Sequence, residues 1–298
     1  MKKYKKCGYT VFEFEFQSAN DFLRHLEQNP INTEFFHEGN MLSLRNDLHD
    51  DSWNKTKSYE EAVQLCRYGY HEDFDRLLRL KDILERFLTV TTKNYRQFND
   101  YVGFAPDVKA YLEGSPLSMF NRVRPKRNKL SVYFNCANMG GVSAAQIFNR
   151  GAITLALVEA LEKMRFNVDL NVFSMSEKQD EIHYAKFLLK KENERLNIKK
   201  LYFPMCHPAF FRRLIFRLRE ETFGVRQDWS QGYGSTCGEE LITQVIGLEP
   251  NDIVICKPDE LGIVGGDLLQ DTETTLKYIE KKVPLLSFVL PKSREQVM

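Results

Sequence analysis

Near the start of the chain Phe12, Phe14 and Phe16 alternate with Glu13 and Glu15, the period-two pattern of a strand with one buried face. Ser18-Ala-Asn-Asp21 then reads as a helix N-cap with an acidic third position, leading into Phe22, Leu23 and Leu26 until Asn29-Pro30 stops the helix. From 32 to 57 the text is polar and irregular, with a short strand expected at 40–46. Ser58-Tyr-Glu-Glu61 is a second capping box, followed by Ala62, Val63, Leu65 and Cys66 and closed by Gly69, which suits a left-handed C-cap. A longer helix is expected from Glu72 to Phe87, where Phe74, Leu77, Leu78, Leu80, Ile83, Leu84 and Phe87 form a wide apolar stripe.

Val102 to Met119 carries Gly103, Pro106, Gly114 and Pro116 around a short helical piece, Asp107 to Leu112, and reads as a bridging element. Arg122-Val-Arg-Pro-Lys-Arg-Asn-Lys129 then places five basic residues in eight around a proline, the sharpest composition break in the chain. It divides the sequence into an N-terminal part, 1–121, a basic linker, 122–129, and a C-terminal part, 130–298. Beyond it, strands and helices alternate. Strands are expected at 130–134, 167–173, 200–204, 252–256 and 284–290, and helices at 144–164, 182–194, 208–222, 238–246 and 271–281. Short apolar strands separated by helices imply parallel pairing with both sheet faces covered. The expected fold class is therefore α/β, a doubly wound, three-layer Rossmann-like sandwich preceded by a smaller, mainly helical α+β domain.

Composition narrows the function classes. With 42 basic and 41 acidic side chains the formal net charge is +1, so no whole-molecule field draws in nucleic acid or an anionic membrane, and any such contact is local. The basic start is interrupted by the charged Phe12–Phe16 stretch where a secretory signal needs an unbroken apolar core. No run approaches the roughly 18 apolar residues of a membrane span. The six cysteines, at 7, 66, 136, 206, 237 and 256, include no Cys-x-x-Cys pair, so reduced thiols and a cytoplasmic setting are expected, with Cys136 and Cys256 buried in apolar runs.

In a doubly wound sheet, ligands sit outside the carboxyl ends of the strands. Three loops fall there. Asn135-Cys-Ala-Asn-Met-Gly-Gly-Val-Ser143 brings Asn135, Asn138 and Ser143 to the start of a long helix, but its spacing fits neither Gly-x-Gly-x-x-Gly nor a P-loop. Gln231 to Glu239 offers the hydroxyls of Ser235 and Thr236. Lys257 to Asp271 carries Asp259, Glu260, Asp267 and Asp271 among glycines, oxygen ligands that suit a hard cation such as magnesium. The same residues also serve as helix caps and turn formers. No cofactor is required by the pattern, and magnesium is the one these oxygens would take. The six histidines lack zinc-ligand spacing, and no Gly-x-Ser-x-Gly elbow is present. Arg124, Lys126 and Arg127 of the linker, with Arg212, Arg213 and Arg217 of the 208–222 helix, are the candidates for contact with an anion or nucleic acid. The competing readings are a solvated linker and a core-packed helix with a solvated basic face.

The long helix ending in Leu161-Glu-Lys-Met164, the strand Val168-Asp-Leu-Asn-Val-Phe173, the Gly-Ser-Thr loop and a later strand ending near Asp259 together resemble the von Willebrand factor A domain over about 130–290. The resemblance implies a metal site of an aspartate and two serines after the first strand, a threonine in a middle loop, and an aspartate after a later strand. Here the first three positions are Asn135, Ala137 and Met139, while Thr236 and Asp259 match. An amide, a methyl and a thioether replace a carboxylate and two hydroxyls, so the implied metal site is degenerate. Ser52-Trp-Asn-Lys-Thr-Lys-Ser-Tyr-Glu-Glu-Ala-Val-Gln-Leu65, Gly69-Tyr-His-Glu72 and Leu112-Glu-Gly-Ser-Pro-Leu-Ser-Met119 are similar to a module of uncharacterised bacteriophage and prophage proteins. That similarity implies a phage-derived protein of the host cytoplasm.

These features lead first to a non-enzymatic interaction or scaffold protein that binds a protein partner through its strand-end loops, with no membrane partner. Two alternatives stand beside it. One is a metal-dependent enzyme acting on a nucleotide or nucleic acid, with Thr236, Asp259, Glu260 and Asp267 at its centre. The other is a nucleic-acid binder using the basic linker and the arginine-rich helix.

Overall fold

The computed structural model describes residues 1–29, 42–44, 54–70, 74–87, 96–123, 129–138, 141–164, 166–223, 237–249, 252–256 and 277. Strands β1 (Lys2–Lys6) and β2 (Tyr9–Phe16) form an antiparallel hairpin, and β2 buries Phe14 and Phe16 as its alternation requires. Helix α1 (Ala19–Gln28) starts at Ser18, whose hydroxyl accepts from the Asp21 amide at 3.1 Å. Helix α2 (Tyr59–Tyr68) starts at Ser58 in the same way and ends at Gly69, where φ is +93°, a value only glycine adopts readily. Helix α3 (Phe74–Phe87) follows. A small three-stranded antiparallel sheet, in the order β3-β5-β4, comes next: β3 (Arg96–Asp100), β4 (Ala105–Pro106), then helix α4 (Val108–Leu112) and β5 (Met119–Val123).

Beyond the basic segment come β6 (Lys129–Asn135), α5 (Ala144–Lys163), β7 (Asn167–Lys178), β8 (Glu181–Lys190) and α6 (Ile198–Cys206). A π-helical stretch, Phe210–Ile215, runs directly into α7 (Phe216–Phe223), and α8 (Glu239–Ile246) and β9 (Ile253–Ile255) complete the described elements. Six strands make one mixed sheet in the order β1-β2-β8-β7-β6-β9. In it β6 runs parallel to β7 and β9, and β2 runs parallel to β8. The β7–β8 pair is antiparallel.

Two of the expected elements change type. The helix expected at 182–194 is strand β8, joined to β7 by a tight turn in which Gln179 has φ +53°. This strand is central and buried on both faces, Ile182 and Tyr184 toward one side and Ala185 and Phe187 toward the other, so its sequence shows no alternation. The strand expected at 200–204 is helix α6, whose buried run Leu201-Tyr-Phe-Pro-Met-Cys206 is apolar all round and carries Pro204 within the helix. The regular strand–helix alternation fails at these two places, and the sheet is mixed instead of parallel. The helix expected at 271–281 and the strand at 284–290 lie outside the described residues except for 277, and of the strand at 40–46 only 42–44 are described, as a turn.

Helices cover both faces. On one face Phe14, Phe16, Val132, Phe134, Leu170, Val172 and Phe187 pack against α1, α2, α5, α6 and the helix of 210–223. On the other, Val11, Phe173, Met175, Ile182, Tyr184 and Val254 meet Ile242 and Val245 of α8. The first core holds Phe22, Leu23 and Ala62 together with Phe210 and Leu214. One core therefore takes in residues from both sides of the 122–129 segment.

Candidate functional site

Strand β6 is flanked by β7 on one side and by β9 on the other, both parallel to it. The chain reaches β7 through α5 and returns much later to β9, so the loop leaving β6 sits where the winding direction reverses. That loop is clamped from several sides. Asn135, fully buried, donates from Nδ2 to the Cys256 carbonyl at 3.1 Å and accepts at Oδ1 from the Ala137 amide at 3.0 Å. The Cys136 amide donates to the Phe173 carbonyl at 2.8 Å. Asn138 donates to the Cys136 carbonyl at 2.7 Å and accepts from Arg150 Nη2 at 3.0 Å. Ser143 is the N-cap of α5, in a reciprocal capping box with Gln146.

Charge lies beneath the loop. Arg150 is fully buried in α5, and its guanidinium stands 4.7 Å from the centre of the Phe134 ring. Arg212 donates to the Val142 carbonyl at 2.7 Å, and burial pushes its pKa down to about 10. Arg219 donates to the Ser174 hydroxyl at 2.6 Å. Burial pushes the Cys136 thiol up to about 12, against the opposing pull of Arg150 and Arg219. A thiol so held stays protonated at neutral pH and is a poor nucleophile.

The sequence-expected residues divide accordingly. Asn135 and Asn138 meet at the end of β6, and Ser143 stands eight residues along as a cap. Ser235, Thr236, Asp259 and Asp267, and with them Arg124, Lys126 and Arg127, lie outside the described residues. Arg212, Arg213 and Arg217 do not form a solvated basic face. All three are buried, and they donate to carbonyls or hydroxyls of Val142, of Ser43 and Thr56, and of Asn29 respectively. The π-helical widening sets consecutive Arg212 and Arg213 against different parts of the chain. Arg150 and Glu220 were missed. An arginine amid the apolar text of α5 was the available signal for the first; the second had none, since its partner, Ser43, is remote in sequence.

Among the described residues no group of three or more His, Cys, Asp or Glu is placed to hold a metal ion. No described helix is long and apolar enough to cross a membrane.

A second surface stands apart from this polar cluster. Of the ten exposed large hydrophobic residues among those described, eight belong to the small sheet and its helix: Phe98, Tyr101, Val102, Phe104, Val108, Tyr111, Leu112 and Leu117. Its polar groups bind one another. Asn99 donates to Asp107 at 2.8 Å, Asp107 caps α4 through the Ala110 amide, and Asn121 donates to Asp100 and to the Val102 carbonyl. Gly103 packs so closely that a Cβ there would lie 2.1 Å from the Phe120 carbonyl oxygen. The module is internally fixed, with its apolar side chains facing out; Tyr101, Val102, Tyr111 and Leu112 are each 70% or more exposed.

The fold is thus mixed α/β, a sheet of parallel and antiparallel strands with several helices, and it carries a polar cluster at a strand-order reversal and a group of exposed apolar side chains at 98–117. Residues 3–280 match the model of a family described as a domain of unknown function, DUF7192, and the chain belongs to that family. No curated protein and no solved structure matches it.

Proposed function

We propose that this chain is a non-enzymatic interaction protein, of phage or prophage origin, that docks another polypeptide through the exposed apolar face of the module at 96–123. The observation that carries this reading is the concentration of exposed apolar side chains on one internally bonded module. Contiguous apolar patches beyond a few hundred Å² are uncommon on monomers and mark interaction surfaces. The parallel β6–α5–β7 unit with β9 on the other side of β6 supports a von Willebrand A-like scaffold behind it. The strand-end loop, the first expectation for a partner contact, has Asn135, Asn138 and Arg150 engaged in holding the loop itself. That use supports a scaffold role and gives no support to a reaction centred there.

Site-specific photo-crosslinking in the host cell tests the reading. A photoreactive phenylalanine at Tyr111 is expected to yield a discrete protein adduct, whereas the same residue at Tyr68, also exposed but outside the module, yields none. Equal adduct yields at the two positions, or none at Tyr111, would overturn it.

A further inference from the structure

We infer that the cleft between α1 and α2 binds a small carboxylate with an apolar body, at a site that shares no residue with the module at 96–123 or with the loop after β6. The cleft has a volume of about 260 Å³. Leu23 and Leu26 of α1 form its buried wall, and Tyr59 and Val63 of α2, both half-buried, line it as well. Arg217, reaching in from α7, is the one charged residue of the lining that is buried. Glu27, Glu60 and Arg67 are exposed at the rim.

The buried guanidinium is short of bonds. Arg217 Nη2 donates to the Asn29 carbonyl at 3.0 Å. Its Nη1 stands 3.6 Å from Glu221 Oε2, an ion pair beyond hydrogen-bond range, and neither atom has a hydrogen-bond partner among the described residues. The other carboxylate oxygen, Oε1, is 3.5 Å from His25 Nε2, which is likewise unbonded. Buried polar groups are nearly always hydrogen-bonded. Three unbonded atoms gathered around Arg217 and Glu221 therefore mark a place that a further polar group completes.

Burial decides the sign of that group. A charge shielded from water acts over the cleft with less screening than an exposed one, so Arg217 outweighs Glu60 at the rim. Glu27 is already held by Arg67. Burial pushes the pKa of Glu221 up to about 7, so this carboxyl takes up a proton near neutrality when a second carboxylate arrives beside it. The Tyr59 phenol, pushed up to about 12 by burial, keeps its proton and is a second donor on the lining. Leu23, Leu26 and Val63 supply the apolar contact. The volume lies below the roughly 300–1,000 Å³ of drug-sized sites, so the body is short, a single ring or a branched chain.

Isothermal titration of the full chain with 3-phenylpropionate is the test. The wild type is expected to bind one equivalent with a Kd below about 1 mM, and the uncharged isostere 3-phenylpropanamide at least about tenfold more weakly. Val63→Trp and Gln64→Trp each set an indole in or over the cleft, and each is expected to weaken binding at least about tenfold with an unchanged circular dichroism spectrum. If Val63→Trp does not fold, Gln64→Trp, on the exposed face of α2, decides the matter. Glu221→Gln is expected to tighten binding at least about threefold at about pH 8, because it removes the competing anion and leaves Arg217 in place; a merely structural Arg217–Glu221 pair predicts no gain. Absence of binding at about 5 mM acid overturns the inference, as does equal affinity for the amide, or binding that the folded Trp variants leave intact. Failure here leaves the Tyr111 crosslink of the interaction reading unaffected, and loss of that crosslink leaves this titration unaffected.

Discussion

Arg213 donates from Nε to the Thr56 hydroxyl at 2.6 Å, joining the π-helical turn to chain 157 residues earlier. The same guanidinium reaches the Thr56 carbonyl at 2.8 Å and the Ser43 carbonyl at 3.2 Å. Replacing it with methionine keeps the apolar stem but leaves buried acceptors unmatched, each costing about 1–3 kcal/mol. Arg213→Met is expected to lower stability by about 3 kcal/mol or more. At roughly 2–4 °C per kcal/mol for a chain of this size, that is a fall in Tm of about 6–12 °C. Arg213→Lys should recover little, because an ammonium does not span the forked geometry. Denaturant and thermal unfolding check this; an unchanged midpoint would mean that segments 42–44 and 54–56 are held by other means.

Glu220 receives the Ser43 amide at 3.2 Å and also bonds the Ser43 hydroxyl, and burial pushes its pKa up to about 7 despite those bonds and the pull of Arg217. Glu221, beside Arg217, is pushed up to about 7 for the same reason. In both cases the folded pKa lies above the unfolded value, so the native state holds its protons more tightly. The stabilisation is complete below about pH 4.5 and is lost as pH rises through about 7. Stability should therefore fall between those limits, by an amount on the order of 1–3 kcal/mol for Glu220. Glu220→Gln, which keeps an acceptor for the Ser43 amide, should flatten that slope and make the protein more stable than wild type at pH 8. Urea unfolding at a series of pH values distinguishes this from a flat profile.

Local signals carried much of the fold and little of the site. Strand β2 and helices α1 and α2 stand in the text because Phe14 and Phe16 alternate with charge and because Ser18 and Ser58 cap through residues three positions away. Strand β8 and helix α6 do not, since an element buried on every side loses the period that would distinguish strand from helix. The amide at Asn135 was legible at the end of a strand, but its use was not, because the carbonyl it serves belongs to Cys256, 121 residues away. The same distance hides the arginines. Their basic spacing resembled a solvated face, while the acceptors that allow their burial lie at Ser43, Thr56 and Val142. The outward-facing side chains of the bridging element expected at 102–119 were not legible, for exposure is set by what packs nearby and not by the segment itself.

Asn135→Asp supplies the carboxylate that a von Willebrand A-like metal site would need at this position, yet it is not expected to create metal binding. The amide Nδ2 donates to a buried carbonyl, and a carboxylate cannot. The substitution places an anion, fully buried, against the Cys256 oxygen, with the Ala137 amide as its hydrogen-bond donor among the described residues. A loss of about 2–4 kcal/mol is expected, on the scale of an uncompensated buried polar or charged group. Melting the wild type and Asn135→Asp with and without millimolar magnesium, manganese or calcium reads both effects. A metal-dependent rise in Tm in the wild type that Thr236→Ala and Asp259→Ala abolish would instead establish a working site, since a ligand that binds only the folded state must stabilise it.

Gly151 is where α5 meets α6 at backbone distance. A Cβ at that position would lie 2.3 Å from the Met205 carbonyl oxygen, 2.6 Å from its carbon and 2.7 Å from the Cys206 sulfur. Two of those atoms are backbone and cannot turn aside, so the helices must separate. Gly151 is one residue from Arg150, so any shift of α5 also moves the guanidinium that holds Asn138. In an exposed helix, glycine to alanine would gain close to 1 kcal/mol. Here Gly151→Ala is expected to cost about 1–3 kcal/mol as overpacking. The sign of the change, read from the denaturant midpoint, is the decisive observation: a stabilised Gly151→Ala would mean that α5 and α6 are not in this contact.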